Sequence, residues 1–326
     1  MAIDWQPSAS IETLRERARL LAKVRDFFAQ RDVWEVETPV LGQGGSTDVH
    51  LVSLSTLART DRGQRRLWLQ TSPEFHMKRL LAAGSGSIFQ LAKSFRDGEL
   101  GTRHNIEFTM LEWYRPQFTL DQLIDETATL VMTMLPAFPG PVVHYRYREL
   151  FHTYLEVDPF TTSLEKLRAV ASERAQMPAT ALAEEGRDTC LDLLMSVVIE
   201  PKLGQAELSV VTDYPTSQAA LARRHQDADG EWVASRFELY LSGVELANGY
   251  HELTDAAEQR ARFEQDNVER RRLGLVEVDI DERLLAALEH GMPEGSGVAL
   301  GIDRLIQLAL GKARLEDVLA FSTPKC

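Results

Sequence analysis

From Ser10 onward apolar residues recur at helical spacing, at Leu14, Ala18, Leu21, Val24 and Phe28, with charges between them. The pattern predicts a long amphipathic helix opened by Ser10 as N-cap. Val33-Trp34-Glu35-Val36-Glu37-Thr38-Pro39 then alternates apolar and polar positions. It reads as a short strand that Pro39 closes, because proline cannot donate to a ladder. Further strand patterns lie at Leu67 to Gln70, Ile88 to Leu91, Glu107 to Tyr114, Leu208 to Thr212 and Phe237 to Asn248. Two threonines, Thr119 and Thr162, stand three residues before Gln122 and Glu165 and fit capping boxes that open helices. Between them Pro136 to Pro141 breaks the pattern. Residues from about 118 to 205 therefore read as a mostly helical insertion, with boundaries good to a few positions. A charged helix opens near Thr254 and stops at Gly274. Gly297 to Gly301 leads into a last helix whose apolar positions are Ile302, Leu305, Ile306, Ala309 and Leu310.

Composition narrows the class. With 44% hydrophobic and 26% charged residues in 326, the chain is an ordinary globular protein. A formal charge of −13 argues against a broad phosphate-tracking surface. Cys190 and Cys326 are too few for a disulfide framework or zinc cluster, which fits a reducing cytoplasm. No apolar run approaches the ~20 residues of a membrane span, and the N-terminus reaches charged residues at once, so neither export nor insertion is expected.

Three constellations carry candidate chemistry. In Phe237 to Leu246 a Ser242-Gly243 pair divides two alternating runs, which predicts a hairpin. With that turn, Tyr240 opposes Glu245 and Glu238 opposes Ala247, so both glutamates fall on one face and can hold Mg²⁺ together with substrate phosphates. Glu252 lies a further seven residues on. An unbroken strand turns it to the other face, and an irregularity at Gly249 brings it back. Taken alone, this hairpin reads rather as an exposed polar strand face. Phe95-Arg96 and the strand Glu107 to Tyr114 form a second hairpin, with Phe108, Met110, Glu112 and Tyr114 on one face. A base can stack on Phe108, Glu112 and Tyr114 can meet an amine, and Arg96 can supply charge to a phosphate under attack. Singly, Phe108 and Met110 are ordinary core residues and Arg96 an ordinary surface ion pair. Lastly, Arg304 stands in the first turn of the last helix just after Gly301. His251-Glu252-Leu253-Thr254 lacks the second histidine of a zinc-protease helix, and there is no Walker loop.

These pieces in this order resemble the three signature motifs of class II aminoacyl-tRNA synthetases, and in detail those of the lysine enzymes. The helix ending in Thr38-Pro39 is similar to motif 1, Phe95-Arg96 through Tyr114 to motif 2, and Gly297 to Leu310 to motif 3. His104 to Glu112 and Glu245-Leu246-Ala247-Asn248-Gly249 are close to the lysine-enzyme strands. Only about ten residues precede motif 1, where lysyl-tRNA synthetases carry an anticodon-binding barrel, so no tRNA partner is expected. With Thr71 to Leu80 and Glu112-Trp113-Tyr114-Arg115-Pro116, the chain looks like the family of ligases that attach β-lysine to elongation factor P.

The resemblance implies an α+β fold: one catalytic domain over residues 1 to 326, mainly antiparallel sheet flanked by helices. It implies that Ser72, Pro73, Glu74, Glu112, Tyr114, Asn248, Glu252 and Ala299 serve the amino-acid substrate. Arg96, Asp97, Gly98, His104, Asn105, Phe108, Glu245, Leu246, Gly301 and Arg304 would contact ATP, and Glu238 with Glu245 would hold Mg²⁺. Arg96 and Arg304 are the catalytic residues of this scheme, which forms an aminoacyl adenylate and passes it to a lysine amine. Ala299 stands where the lysine synthetases usually carry glycine, which would reshape the pocket toward β-lysine. One departure concerns motif 2, where Gly98 follows Asp97 and Glu99 comes one place late. Main-chain contacts or an inward swing of Glu99 are both open there. The family also implies a homodimer. Rival expectations are aminoacylation of a tRNA or tRNA-like RNA, and a non-catalytic paralogue acting as a regulatory subunit.

Overall fold

In the computed structural model residues 5 to 326 are described, apart from Arg62 and Pro139. Pro139, inside the predicted boundary, and the N-terminal Met1 to Asp4 lie outside the described residues. The strands run β1 Trp34–Glu35, β2 Leu41–Gly42, β3 Ser55–Thr60, β4 Gly63–Leu69, β5 Ile88–Phe95, β6 Glu107–Pro116, β7 Val142–Arg146, β8 Leu208–Pro215, β9 Arg224–Gln226, β10 Trp232–Leu241, β11 Val244–His251 and β12 Gly295–Gly301. The helices are α1 Ile11–Ala29, α2 Glu74–Ala82, α3 Leu120–Met134, α4 Tyr147–Leu155, α5 Leu164–Arg174, α6 Arg187–Leu194, α7 Ala256–Arg272, α8 Glu282–Gly291 and α9 Ile302–Ala309. Two compact units result. One comprises Met1–Phe118, Thr129–Pro136 and Leu253–Cys326, the other Thr119–Ala128 and Ala137–Glu252.

In the first unit β5 pairs antiparallel with β6 and β6 with β12, while β1 joins β5 in parallel. The predicted strand at Val33 to Pro39 shrinks to two residues. Its continuation is held instead by Val36 N–H donating to the Phe89 carbonyl and by the Thr38 hydroxyl donating to Gln90 Oε1 at 2.9 Å. Helix α1 begins as expected, with Thr13 N–H donating to Ser10 Oγ at 3.1 Å. Its buried face is Thr13, Leu20, Val24, Phe27 and Phe28, so the expected stripe is rotated and Ala18 is exposed. Phe28 stacks on Phe89 at 4.4 Å and meets Trp113 edge-on at 5.3 Å, seating the helix on β5 and β6. The rotation also brings Arg17 inward, where it donates to Asp303 at 2.5 Å. The other Asp303 oxygen accepts from Thr109 N–H at 2.7 Å, so one buried carboxylate ties α1, β6 and α9 together.

In the second unit β10 lies between β8 and β11, with β7 parallel to β8 and β9 on the end of β10. Helices α4, α5 and α6 pack a core around Tyr147, Phe151, Leu167, Leu191, Leu194 and Tyr240. Helix α3 opens on a reciprocal capping box, Gln122 N–H to Thr119 Oγ1 and Thr119 N–H to Gln122 Oε1. At α5 the cap is Ser163 rather than Thr162, because the Thr162 hydroxyl is already taken by Asp158 N–H. In the first unit, α7 starts at its Asp255 cap and ends before Gly274, whose φ of 71° suits a glycine stop.

Candidate active site

The first unit gathers a polar cluster from the segment that opens α2 and from the middle of β6. Ser72 lies just before α2. Its hydroxyl donates to Glu112 Oε1 at 2.5 Å and accepts from Glu74 N–H at 3.0 Å. Pro73 is the N-cap residue, a place where no N–H is required, and Glu74 opens the helix. The middle of β6 supplies Glu112 and, two residues on the same face, Tyr114, whose hydroxyl donates to Glu112 Oε2 at 3.1 Å. Glu112 is 1% exposed. Gln90 stands opposite it on β5 and Ala299 on β12. Burial, followed by the charge of Glu74, pushes the Glu112 carboxyl up to about 8, against smaller opposing contributions from Ser72, Tyr114 and Arg96. At neutral pH it is mostly protonated.

Lys78 lies one turn along α2 from Glu74. Its side chain is 1% exposed and its ammonium lies 2.6 Å from Glu74 Oε1. The signal for it was available: Lys78 shares the helical stripe of buried Phe75 and Leu81.

Arg96 follows β5, with its guanidinium 5.1 Å from the centre of the Phe108 ring. Glu99 lies 3.6 Å from Arg96, an ion pair within the motif 2 turn. The turn that carries Glu99 needs Gly98, whose φ is 78°, and Gly98 N–H donates to Asp97 Oδ1 at 2.9 Å. His104 and Arg304 meet at 2.6 Å between His104 Nε2 and Arg304 Nη2. Burial, then the charge of Arg304, lowers the His104 pKa, which favours the neutral ring that accepts from a guanidinium. Gly301 caps α9, and a Cβ there would meet the Arg304 side chain at 3.5 Å, ordinary contact. Asn105 is tied within the protein: its amide donates to the Glu107 carbonyl at 2.6 Å and its oxygen accepts from Thr323 N–H.

The remaining candidates, Glu238, Glu245, Leu246, Asn248 and Glu252, belong to the second unit. The hairpin turn is where the sequence puts it, with Ser242 and Gly243 both in the left-handed region at φ 54° and 66°. Tyr240 opposes Glu245 as expected, but Glu238 opposes Asn248, not Ala247. A bulge at Leu246 causes the slip. It moves Asn248 onto the glutamate face, and alternation then carries Glu252 to that face too. The irregularity expected at Gly249 therefore lies three residues earlier, and Gly249 pairs regularly with Phe237.

Glu238 itself is held by three donors. One oxygen accepts from Arg236, and the other accepts from the hydroxyls of Tyr214, at 2.6 Å, and Tyr240. Arg236 also donates to Asn248 Oδ1 at 3.2 Å. Against a divalent cation this carboxylate fits poorly, since its charge is compensated by Arg236 and donors already take about three of its four lone-pair sites. Among the described residues no group of three or more His, Cys, Asp or Glu side chains is arranged to hold a metal. Glu252 is 2% exposed and bridges to Ala222 through the backbone.

Comparison with known proteins agrees with this anatomy. A family model described as tRNA synthetases class II (D, K and N) matches residues 2–325. The chain belongs to that family, and it is an α+β enzyme of the class II synthetase type. Within it, the chain is 50% identical over 319 residues to a protein of Mannheimia succiniciproducens, covering 97% of each. It is 49% identical to one of Pasteurella multocida over 98% of this chain and 97% of the other, and 50% identical to one of Edwardsiella ictaluri over 98% of both. All three relatives are named elongation factor P--(R)-beta-lysine ligase, and the chain belongs with them. No helix among the described residues is long and apolar enough to cross a membrane.

Proposed function

We propose that this protein activates (R)-β-lysine with ATP and transfers it to the side-chain amine of a lysine on elongation factor P. The observation that carries the reading is the buried cluster of Ser72, Glu74, Glu112 and Tyr114, which suits a cationic amine rather than a neutral side chain. The substrate carboxylate oxygen attacks the α-phosphorus of ATP and pyrophosphate leaves. Arg96 meets the negative charge that grows on the phosphoryl oxygens, and Arg304 the terminal phosphates. The neutral acceptor amine then attacks the acyl carbon of the adenylate, an amide forms, AMP departs and a proton is lost. No protein nucleophile is needed.

Asp97, Gly98, His104, Asn105, Phe108, Leu246 and Gly301 are assigned to the nucleotide, and Asn248, Glu252 and Ala299 to the amino acid. Magnesium enters in this reading with ATP as part of the substrate, and Glu245 and Glu238 are the carboxylates assigned to it. Before the phosphates bind, Glu99 must release Arg96. A cytoplasmic homodimer that does not charge tRNA completes the proposal. Mass measurement of elongation factor P after incubation with enzyme, ATP and each lysine isomer tests it. The expected result is one added β-lysyl group, and tRNA charging without protein modification would overturn it.

A further inference from the structure

Between Ser55 and Leu69, β3, β4 and their turn carry four arginines and a single carboxylate, Asp61, in a chain whose formal charge is −13. The sheet that holds them has the order β2-β4-β3, and β2 reaches only Trp68 and Leu69, so most of the pair extends as a two-stranded ribbon. Pairing sets Leu57 opposite Arg66 and Arg59 opposite Gln64. Strand alternation puts these four side chains on one face, and Arg65, opposite Ala58, on the other. Leu57 is 61% exposed, and Arg59 and Arg66 are exposed beside it. Elsewhere exposed arginines find carboxylates: Arg25 meets Glu35, Arg260 meets Glu282 and Arg271 meets Glu277. Among the described residues Arg59 and Arg66 form no ion pair. The root of the ribbon is built into the proposed reaction centre. The Val52 carbonyl, just before β3, accepts from Asp97 N–H at 2.8 Å, next to Arg96. After β4, the Gln70 carbonyl accepts from Phe95 N–H at 3.0 Å, and two residues on comes Ser72, whose hydroxyl donates to Glu112. Arg270 fixes the entering loop by donating to the Asp48 carbonyl at 2.7 Å.

We propose that the face formed by Leu57, Arg59 and Arg66 is the docking surface for the acceptor protein, where it engages carboxylates that flank the lysine to be modified. The claim rests on the proposed function for the existence of a protein acceptor. A chain of this net charge repels an acidic partner over most of its surface, so such a partner is held where positive charge is local. An exposed leucine with an arginine on either side supplies an apolar contact and charges that select the partner. Position fits as well. Arg66 stands six residues before Ser72, within about 20 Å along an extended chain, so a small domain whose lysine enters the site also reaches the ribbon. Nucleic acid fits this face less well. Two arginines neutralise few phosphates where binding proteins make about 6 to 10 such contacts. Trp68, the aromatic residue of the ribbon, is buried, which leaves no ring there on which a base could stack.

Docking is separated from activation by reversing the two charges. Arg59→Glu with Arg66→Glu should leave β-lysine-dependent pyrophosphate exchange unchanged, and equally the hydroxamate formed when hydroxylamine traps the adenylate. Modification of elongation factor P should fall about ten-fold or more in kcat/KM, chiefly through KM, because charge at a docking face acts on association. Added salt should slow transfer by the native enzyme and have little effect on the variant. Arg59→Lys with Arg66→Lys should keep most of the native rate, and Arg65→Glu, on the opposite face, should cost less than about two-fold. Transfer at the native rate by the reversed variant overturns the proposal. So does an equal loss from Arg65→Glu, which would replace a face by a diffuse field. A change of oligomeric state in the reversed variant would assign the face to a second copy of the chain and overturns it too. Where the reversal prevents folding, seen as lost exchange, Arg59→Gln with Arg66→Gln decides by removing charge alone. If the native enzyme charges tRNA and leaves elongation factor P unmodified, the proposed function fails and the docking claim with it. Native transfer that the variant matches sinks the docking claim alone.

Discussion

Glu112 and Glu238 are both buried glutamates in the middle of a strand, and both accept from a tyrosine two residues away on the same face. Their environments nevertheless make them opposite kinds of group. Glu112 has neutral donors, Ser72 and Tyr114, and an anion, Glu74, nearby, so its carboxyl holds its proton up to about 8. Glu238 has a guanidinium on one oxygen and two phenols on the other. Burial, then the charge of Glu238, drives the Tyr214 and Tyr240 pKa values well above their usual range, and at Arg236 that charge outweighs burial and raises the guanidinium. Burial of a carboxyl therefore does not by itself predict its charge. The nature of its neighbours decides whether the group becomes a proton exchanger or a locked anion.

Replacing Glu238 by Gln tests the locked state most severely. It leaves Arg236 buried without its counter-charge, and loss of one partner from a buried ion pair costs about 3 to 5 kcal/mol. Denaturant unfolding should show that loss with little dependence on salt, since buried pairs are poorly screened. A cost below about 1 kcal/mol would make Glu238 an ordinary surface carboxylate. Next in size, Arg96→Ala should slow pyrophosphate exchange into ATP about 10²- to 10³-fold, as expected for removal of a charge aimed at a transition state. The same change should raise the Glu112 titration slightly, because Arg96 is the weakest of the groups that lower it.

The proton exchanger is tested by stability against pH. Glu112 is raised from 4.5 to about 8, so between those values the folded protein holds a proton that the unfolded chain has released. Its contribution is complete below the lower value and is lost as pH rises through the upper one. Glu112→Gln, which mimics the protonated acid, should lack that decline. Between about pH 6 and pH 8 the native enzyme should lose on the order of 2 kcal/mol that the variant keeps. Parallel stability curves would show that Glu112 is already ionised at neutrality.

Much of this anatomy was legible in the sequence, and the exceptions share a cause. Ser10 as a cap, the Thr119 to Gln122 box, the Ser242-Gly243 turn and the alternation that puts Glu112 beside Tyr114 are local properties of a few residues. What escaped depends on partners distant in sequence. Arg17 reads as an exposed charge until Asp303, far along the chain, draws it inward and rotates the buried face of α1. Lys78 reads as polar until its helix is packed. The bulge at Leu246 has no composition signal, because no glycine or proline marks it, whereas Gly249 has the composition and pairs regularly. Spacing puts Glu238 on the face of a metal ligand, but it reports only which face a carboxylate occupies and not which donors it already accepts from.

The smallest expected effect is also the sharpest comparison, because it applies one change to both glutamates. Tyr114→Phe and Tyr240→Phe each remove a phenol that donates to a buried carboxyl. At Glu238 the acceptor is an anion, and a hydrogen bond to a charged group is worth about 1.5 to 3 kcal/mol. At Glu112 the acceptor is mostly neutral, and the corresponding figure is about 0.5 to 1.5 kcal/mol. Tyr240→Phe should therefore destabilise the protein more than Tyr114→Phe at neutral pH. Only Tyr114→Phe should also raise the Glu112 titration, because its hydroxyl favours the ionised form. Above the Glu112 midpoint both acceptors are anions, so the two costs should converge as pH rises. If they are already equal at neutral pH, Glu112 and Glu238 carry the same charge and the contrast between the two glutamates fails.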